Sequence, residues 1–167
     1  MGAEPTNRQS DSGVGRPTFV REFIEGMPVM SDLGMELVEI ERGRATVSLA
    51  IRTRHTVDGH VVQAGISATV ADFAAVAAAA TELPDGWLVA TTGFSVVHLA
   101  PATGETLIAE GRYVGGGPRR LVATADLYAD GAEGRRHCLT GVFSAAGLPP
   151  PNDRGRSGDT TDRQICL

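Results

Sequence analysis

The order of apolar and polar positions along the chain predicts a single α+β domain. Phe19, Phe23 and Ile24 recur at helical spacing over 18–25, with Thr18 placed to cap them. A further turn is expected over 27–33, where Ser31-Asp32 suits a cap. Alternation comes next: Leu37, Val38 and Ile40 precede the turn Arg42-Gly43, and Ala45, Val47, Leu49 and Ile51 share one face after it. That pattern over 35–41 and 44–52 is a hairpin with one wet face. From 65 to 81 the chain is almost wholly small or apolar, and its alanine content and length favour a helix over a strand. Ile66, Val70, Phe73 and Val76 or Ala77 form one stripe on it, and Pro84-Asp85-Gly86 then makes a turn. Four strands are expected at 87–99, 106–114, 120–128 and 135–144. They are separated by Pro101–Gly104, Gly115–Pro118 and Asp130–Gly134. Separators this short make the strands antiparallel neighbours, since a parallel crossover needs a dozen residues or more. An antiparallel sheet packed on one apolar helix results.

Polar, glycine- and serine-rich stretches flank this domain. Residues 1–17 and 148–167 read as disordered arms around a folded region of 18–147. At 167 residues, with 42% hydrophobic and 21% charged side chains, the chain has enough core to stand without a disulfide or metal staple. The net charge of −5, with all fifteen basic residues arginine, argues against a general nucleic-acid binder. Cys138 and Cys166 suggest no disulfide framework. No apolar run is long enough for a membrane span, and no secretory leader is visible. A cytoplasmic protein is expected. The lack of lysine beside abundant alanine, glycine, arginine and valine suggests a GC-rich bacterial genome.

Asp72 is the one formally charged side chain between Gly59 and Thr81. It lies off the Ile66/Val70/Phe73 stripe, beside Gly65, Ala68, Thr69, Ala75, Val76 and Ala79. Two readings stand. Asp72 marks the wet side of an amphipathic helix, or it is a carboxylate whose desolvation prepares it as a general base or nucleophile. The residues before the helix bear on the choice. Free N–H groups at a helix N-terminus favour anions, so those of Ala64 or Gly65 suit an oxyanion, and the Gln63 amide adds a donor. Gln63 and Asp72 are nine residues apart, or roughly 13 Å along one helix. If both act on one carbonyl, the site needs two chains.

The stretch 62–74, Val-Gln-Ala-Gly-Ile-Ser-Ala-Thr-Val-Ala-Asp-Phe-Ala, resembles the His-(Gly or Ala)-Gly, apolar run and Asp or Glu pattern of the hotdog-fold acyl-CoA thioesterases, in their phenylacetate-pathway (PaaI-like) branch. The stretch 92–102, ending His98-Leu-Ala-Pro-Ala, is similar to that family's strand ending in Arg-Pro-Ala. Gly104-Glu105 and Gly111-Arg-Tyr-Val resemble the family's next strand and its approach. The resemblance spans about 30–146. It implies a sheet wrapped around one long helix and a homodimer, often paired into a homotetramer, with the site between subunits. It places the catalytic carboxylate on Asp72 and the carbonyl binders on Gln63 and Ala64, with Gly65 behind them. The substrate it implies is an acyl-CoA, aromatic or medium-chain, or the ester of an acyl carrier protein. No cofactor is expected.

Three positions depart from the family pattern: Gln63 replaces histidine, Val57 or Asp58 stands where an amide residue is common, and Ala100 replaces a basic residue. Asp58 is a candidate for orienting water. His60 and His98 are candidates near the substrate, and Val76 for its pocket. Arg119 and Arg120 either meet coenzyme A phosphates or are solvated hairpin charges. The four histidines show no metal-ligand spacing, and no Gly-x-Ser-x-Gly elbow is present. Two other functions fit the same fold: a non-hydrolytic acyl- or aromatic-ligand binder, and a hydratase or dehydratase using a His/Asp pair.

Overall fold

The computed structural model describes residues 15–151. In chain order these are α1 (Gly15–Glu25), α2 (Pro28–Leu33), β1 (Met35–Glu41), β2 (Arg44–Ala50), a short 3-10 turn at Thr53–His55, α3 (Ala64–Ala80), β3 (Leu88–His98), β4 (Thr106–Gly117), β5 (Arg120–Gly131) and β6 (Gly134–Leu148). The six strands form one antiparallel sheet in the order β1-β2-β4-β5-β6-β3. The sheet curves round α3, which lies chiefly against β2, β4 and β5. Alternation sends Leu121, Ala123, Ala125, Leu127 and Ala129 of β5 inward, where they meet Val47, Leu49, Leu107 and Phe143 in one core.

The helix face laid on the sheet is not the Ile66/Phe73 stripe. Ser67, Val70, Ala71, Ala74, Ala75 and Ala78 are buried, whereas Ile66 and Phe73 are only partly so. Gly111 on β4 gives the reason. A side chain there would overlap the Ala74 carbonyl, so helix and strand backbones touch and only small residues fit between them.

Other elements extend past their expected limits. The first helix starts at Gly15 rather than 18, because Arg16 is drawn into the fold. Arg16 is only 7% exposed, and its guanidinium donates to the carbonyls of Ala80 (3.0 Å) and Trp87 (2.8 Å). It thereby satisfies a terminal carbonyl of α3 and ties α1 to the start of β3. At α2, Met27 is the N-cap and Pro28 opens the helix, while Ser31 Oγ donates back to the Pro28 carbonyl instead of capping. The glycines 115–117 belong to β4, after an irregularity between Tyr113 and Gly115, and the turn is made by Pro118-Arg119. β6 runs to Leu148, paired with Leu88. Most of both expected arms, with Cys166, lies outside the described residues. No helix among those described is long and apolar enough to cross a membrane.

Candidate active site

Asp72 sits on the flank of α3 that faces β3. Both carboxylate oxygens accept from the Thr91 hydroxyl, at 3.0 and 3.2 Å. The carboxylate borders a cleft of about 550 Å³, walled by Phe23, Ile24 and Met27 of α1, Val76 of α3, and Leu88 and Leu148 at the sheet edge. Among the described residues lining it, Asp72 is the only ionisable one. Burial raises the Asp72 carboxyl above its ordinary range, and the Thr91 hydrogen bond partly opposes that rise. Such a carboxylate in an apolar cleft is a stronger base than a solvated one.

The balance gives a pH prediction. Thr91→Val removes the donor that lowers the Asp72 pKa, so that pKa rises further. The acid limb of a kcat/KM–pH profile is then expected to move to higher pH. An unmoved limb would show that Thr91 does not act on the ionisation of Asp72.

The other expected residues gather at the N-terminus of α3. Gln63 is its N-cap: Oε1 accepts from the Ile66 N–H at 3.0 Å, leaving the side-chain NH2 as a donor. A Cβ at Gly65 would lie 2.8 Å from that same oxygen, so glycine makes room for the cap. The N–H groups of Ala64 and Gly65 meet no acceptor among the described residues, and both residues are exposed. The preceding loop is fixed by its own bonds. Asp58 Oδ1 accepts from the N–H groups of His60 (2.9 Å) and Val61 (2.8 Å), bonds that hold its carboxyl below the usual range. Buried His55 accepts from the Gln63 N–H through its carbonyl. Asp58 thus shapes the loop, and His60 beside it is exposed.

These groups do not converge within one protomer. Asp72 and Val76 share the apolar cleft. Ala64 and His98 share a second cleft of about 400 Å³, with Ser67 and Pro101. The His/Asp pair that a hydratase needs is therefore not formed by His98 and Asp72 of one chain. Arg119 and Arg120 are exposed at the β4–β5 turn, outside both clefts. Thr91, Phe23 and Met27 are additions that sequence reasoning missed. Thr91 carried one faint signal, a hydroxyl within an apolar strand. Among the described residues no three His, Cys, Asp or Glu side chains cluster to hold a metal ion.

No family model matches the chain, and no curated protein sequence does. Solved structures match well. A thioesterase family protein from Silicibacter pomeroyi is 30% identical, aligned over 81% of this chain and 99% of that one, with a TM-score of 0.78. A thioesterase from Haemophilus influenzae (16% identity, 81% and 92% covered, TM-score 0.69) shares the fold. So does the Escherichia coli PaaI protein from the phenylacetic acid degradation operon (14%, 80% and 95%, TM-score 0.67). With 30% identity across nearly the whole Silicibacter protein, and the same sheet wrapped round one helix, the chain belongs to the thioesterase family of hotdog-fold proteins.

Proposed function

We propose that this protein hydrolyses acyl-CoA thioesters, aromatic or medium-chain, in the cytoplasm, at a site completed by two protomers. The observation that carries this reading is Asp72: an ionisable group with a raised pKa, held by Thr91, at the border of an apolar cleft. The acyl group lies along Val76, Phe23 and Met27. The carbonyl oxygen is met by the N–H groups of Ala64 and Gly65, assisted by Gln63 NH2, from the neighbouring protomer. Asp72 takes a proton from water as the hydroxide adds to the carbonyl carbon, and the C–S bond then breaks to release the thiolate. Direct attack by the carboxylate, through an anhydride that water opens, reaches the same products.

Two chains are needed because Ala64 and Asp72 are eight helical residues apart, roughly 12 Å. An open surface exists for a second copy. β3 ends the sheet, with Phe94 53%, Val97 57% and Leu99 50% exposed. A homodimer through this edge, or a homotetramer built from it, buries them. Arg119 and Arg120 are then free to meet coenzyme A phosphates.

The test is thiol release from a panel of acyl-CoA esters of graded length and from an aromatic ester. Turnover on at least one is expected. Tight binding without thiol release would replace this reading with that of a ligand-binding protein. Cleavage of acyl-carrier-protein esters alone would change the donor. Val76→Phe, which fills the cleft, is expected to cut kcat/KM for the preferred acyl group by about tenfold or more while sparing acetyl-CoA. An equal loss on both would put the acyl group elsewhere.

A further inference from the structure

We propose that His98 works in trans, as a positioning residue for the carboxylate of the other protomer. The inference rests on the two-protomer reading of the site. Three observations carry it.

α3 and β3 run in opposite directions. Asp72 and Val76 lie beside Leu88–Thr91, whereas Ala64 and Ser67 lie beside His98 and Leu99. The two halves of the site therefore occupy opposite ends of one open edge strand. Antiparallel pairing of that strand with a second copy exchanges the ends. Bringing the Ala64 amide of one protomer to Asp72 of the other sets Thr91 opposite His98, within about one residue, and puts the two-fold axis between Phe94 and Ser95.

A strand irregularity then decides which way these side chains point. Thr91 and His98 are seven residues apart, so in a regular strand they would face opposite sides. The register shift between Thr91 and Gly93 inserts one extra residue. Thr91 pairs with buried Ala145, and His98 with buried Leu139. Both therefore face α3. Opposed residues of an antiparallel pair share a face, with Cβ atoms roughly 5 Å apart, well within reach of an imidazole.

Finally, the His98 ring is exposed and makes no hydrogen bond or ion pair among the described residues. His55 is bonded by Arg52 and Arg54, and His137 by Asp126 and Leu139.

Geometry is tested without activity. Thr91→Cys/His98→Cys, in a Cys166→Ser background, is expected to oxidise to a covalent dimer. A folded double variant that gives none overturns the inference. Function is tested with His98→Ala, expected to lower kcat by about 10- to 100-fold with little change in KM, and with His98→Gln, expected to recover most of it. An unchanged kcat in His98→Ala overturns the inference. Mixing Asp72→Asn with His98→Ala chains should restore activity, because each hybrid dimer holds one intact site. No restoration places His98 in cis and overturns the inference. A covalent dimer from a protein that releases no thiol would instead sink the thioesterase reading and leave the His98 geometry standing. An Asp–His pair also suits hydration, so the variants are assayed on an enoyl-CoA as well. Turnover there would change the reaction but keep the pair.

Discussion

Asp72→Asn is expected to lower thiol release by about a thousandfold while leaving the fold intact and more stable. Asparagine keeps the shape and still accepts from Thr91, so substrate binding should change little. The amide can neither take a proton from water nor attack a carbonyl, and proton transfer of this kind is worth roughly two to four orders of magnitude. The stability half comes from linkage. The folded pKa of Asp72 lies above that of an unfolded aspartate, chiefly through burial. Its contribution to stability is fully present below the unfolded pKa and is lost as pH rises through the folded one. At neutral pH the ionised carboxylate therefore weighs against the fold, and asparagine removes that weight. Thermal denaturation should show a higher Tm for the variant at pH 7, with the gap narrowing on acidification. Full turnover by Asp72→Asn would remove the carboxylate from the mechanism. A lower Tm would mean that it serves structure.

Gly111→Ala should be the most damaging single methyl in the molecule. The new Cβ would fall on the Ala74 carbonyl and crowd the Ala75 nitrogen, all backbone at the middle of α3. No rotamer change relieves such an overlap; the helix must lift from β4, loosening its contacts with β2 and β5. We expect a loss of about 3 kcal/mol or more in urea unfolding. Gly115→Ala, four residues along the same strand, meets nothing within 4 Å and is the control. It should stay within about 0.5 kcal/mol of wild type. Equal effects at the two sites would show that strand propensity, not backbone contact, governs both.

Much of this architecture is legible in the sequence. The hairpin, the alanine-rich helix and the four later strands can be read from period and turn chemistry, and Asp72 stands out as a charge where none is needed. The hidden parts depend on tertiary contact. Arg16 reads as part of a polar arm because nothing local announces that two carbonyls, 64 and 71 positions away, will claim its guanidinium. The buried face of α3 escapes a reading by side-chain size, which usually marks the core side of a helix, because here backbone proximity reserves that side for methyl groups. Thr91 and His98 cannot be assigned to a face by alternation, since one extra residue between them reverses the count. The wall that α1 lends to the acyl cleft likewise has no signature in its own periodicity.

The alanine-lined contact between α3 and the sheet separates two properties that many enzymes couple. Backbone and methyl packing on one side of the helix keeps the fold together. The large side chains on the other, with Phe23 and Met27 borrowed from α1, select a ligand. Exchanging those two residues alters the shape of the cleft without touching the helix–sheet contact. Acyl preference in this scaffold is therefore free to drift through a peripheral helix, while the residues that hold the sheet to its axis remain under an independent and much stricter constraint.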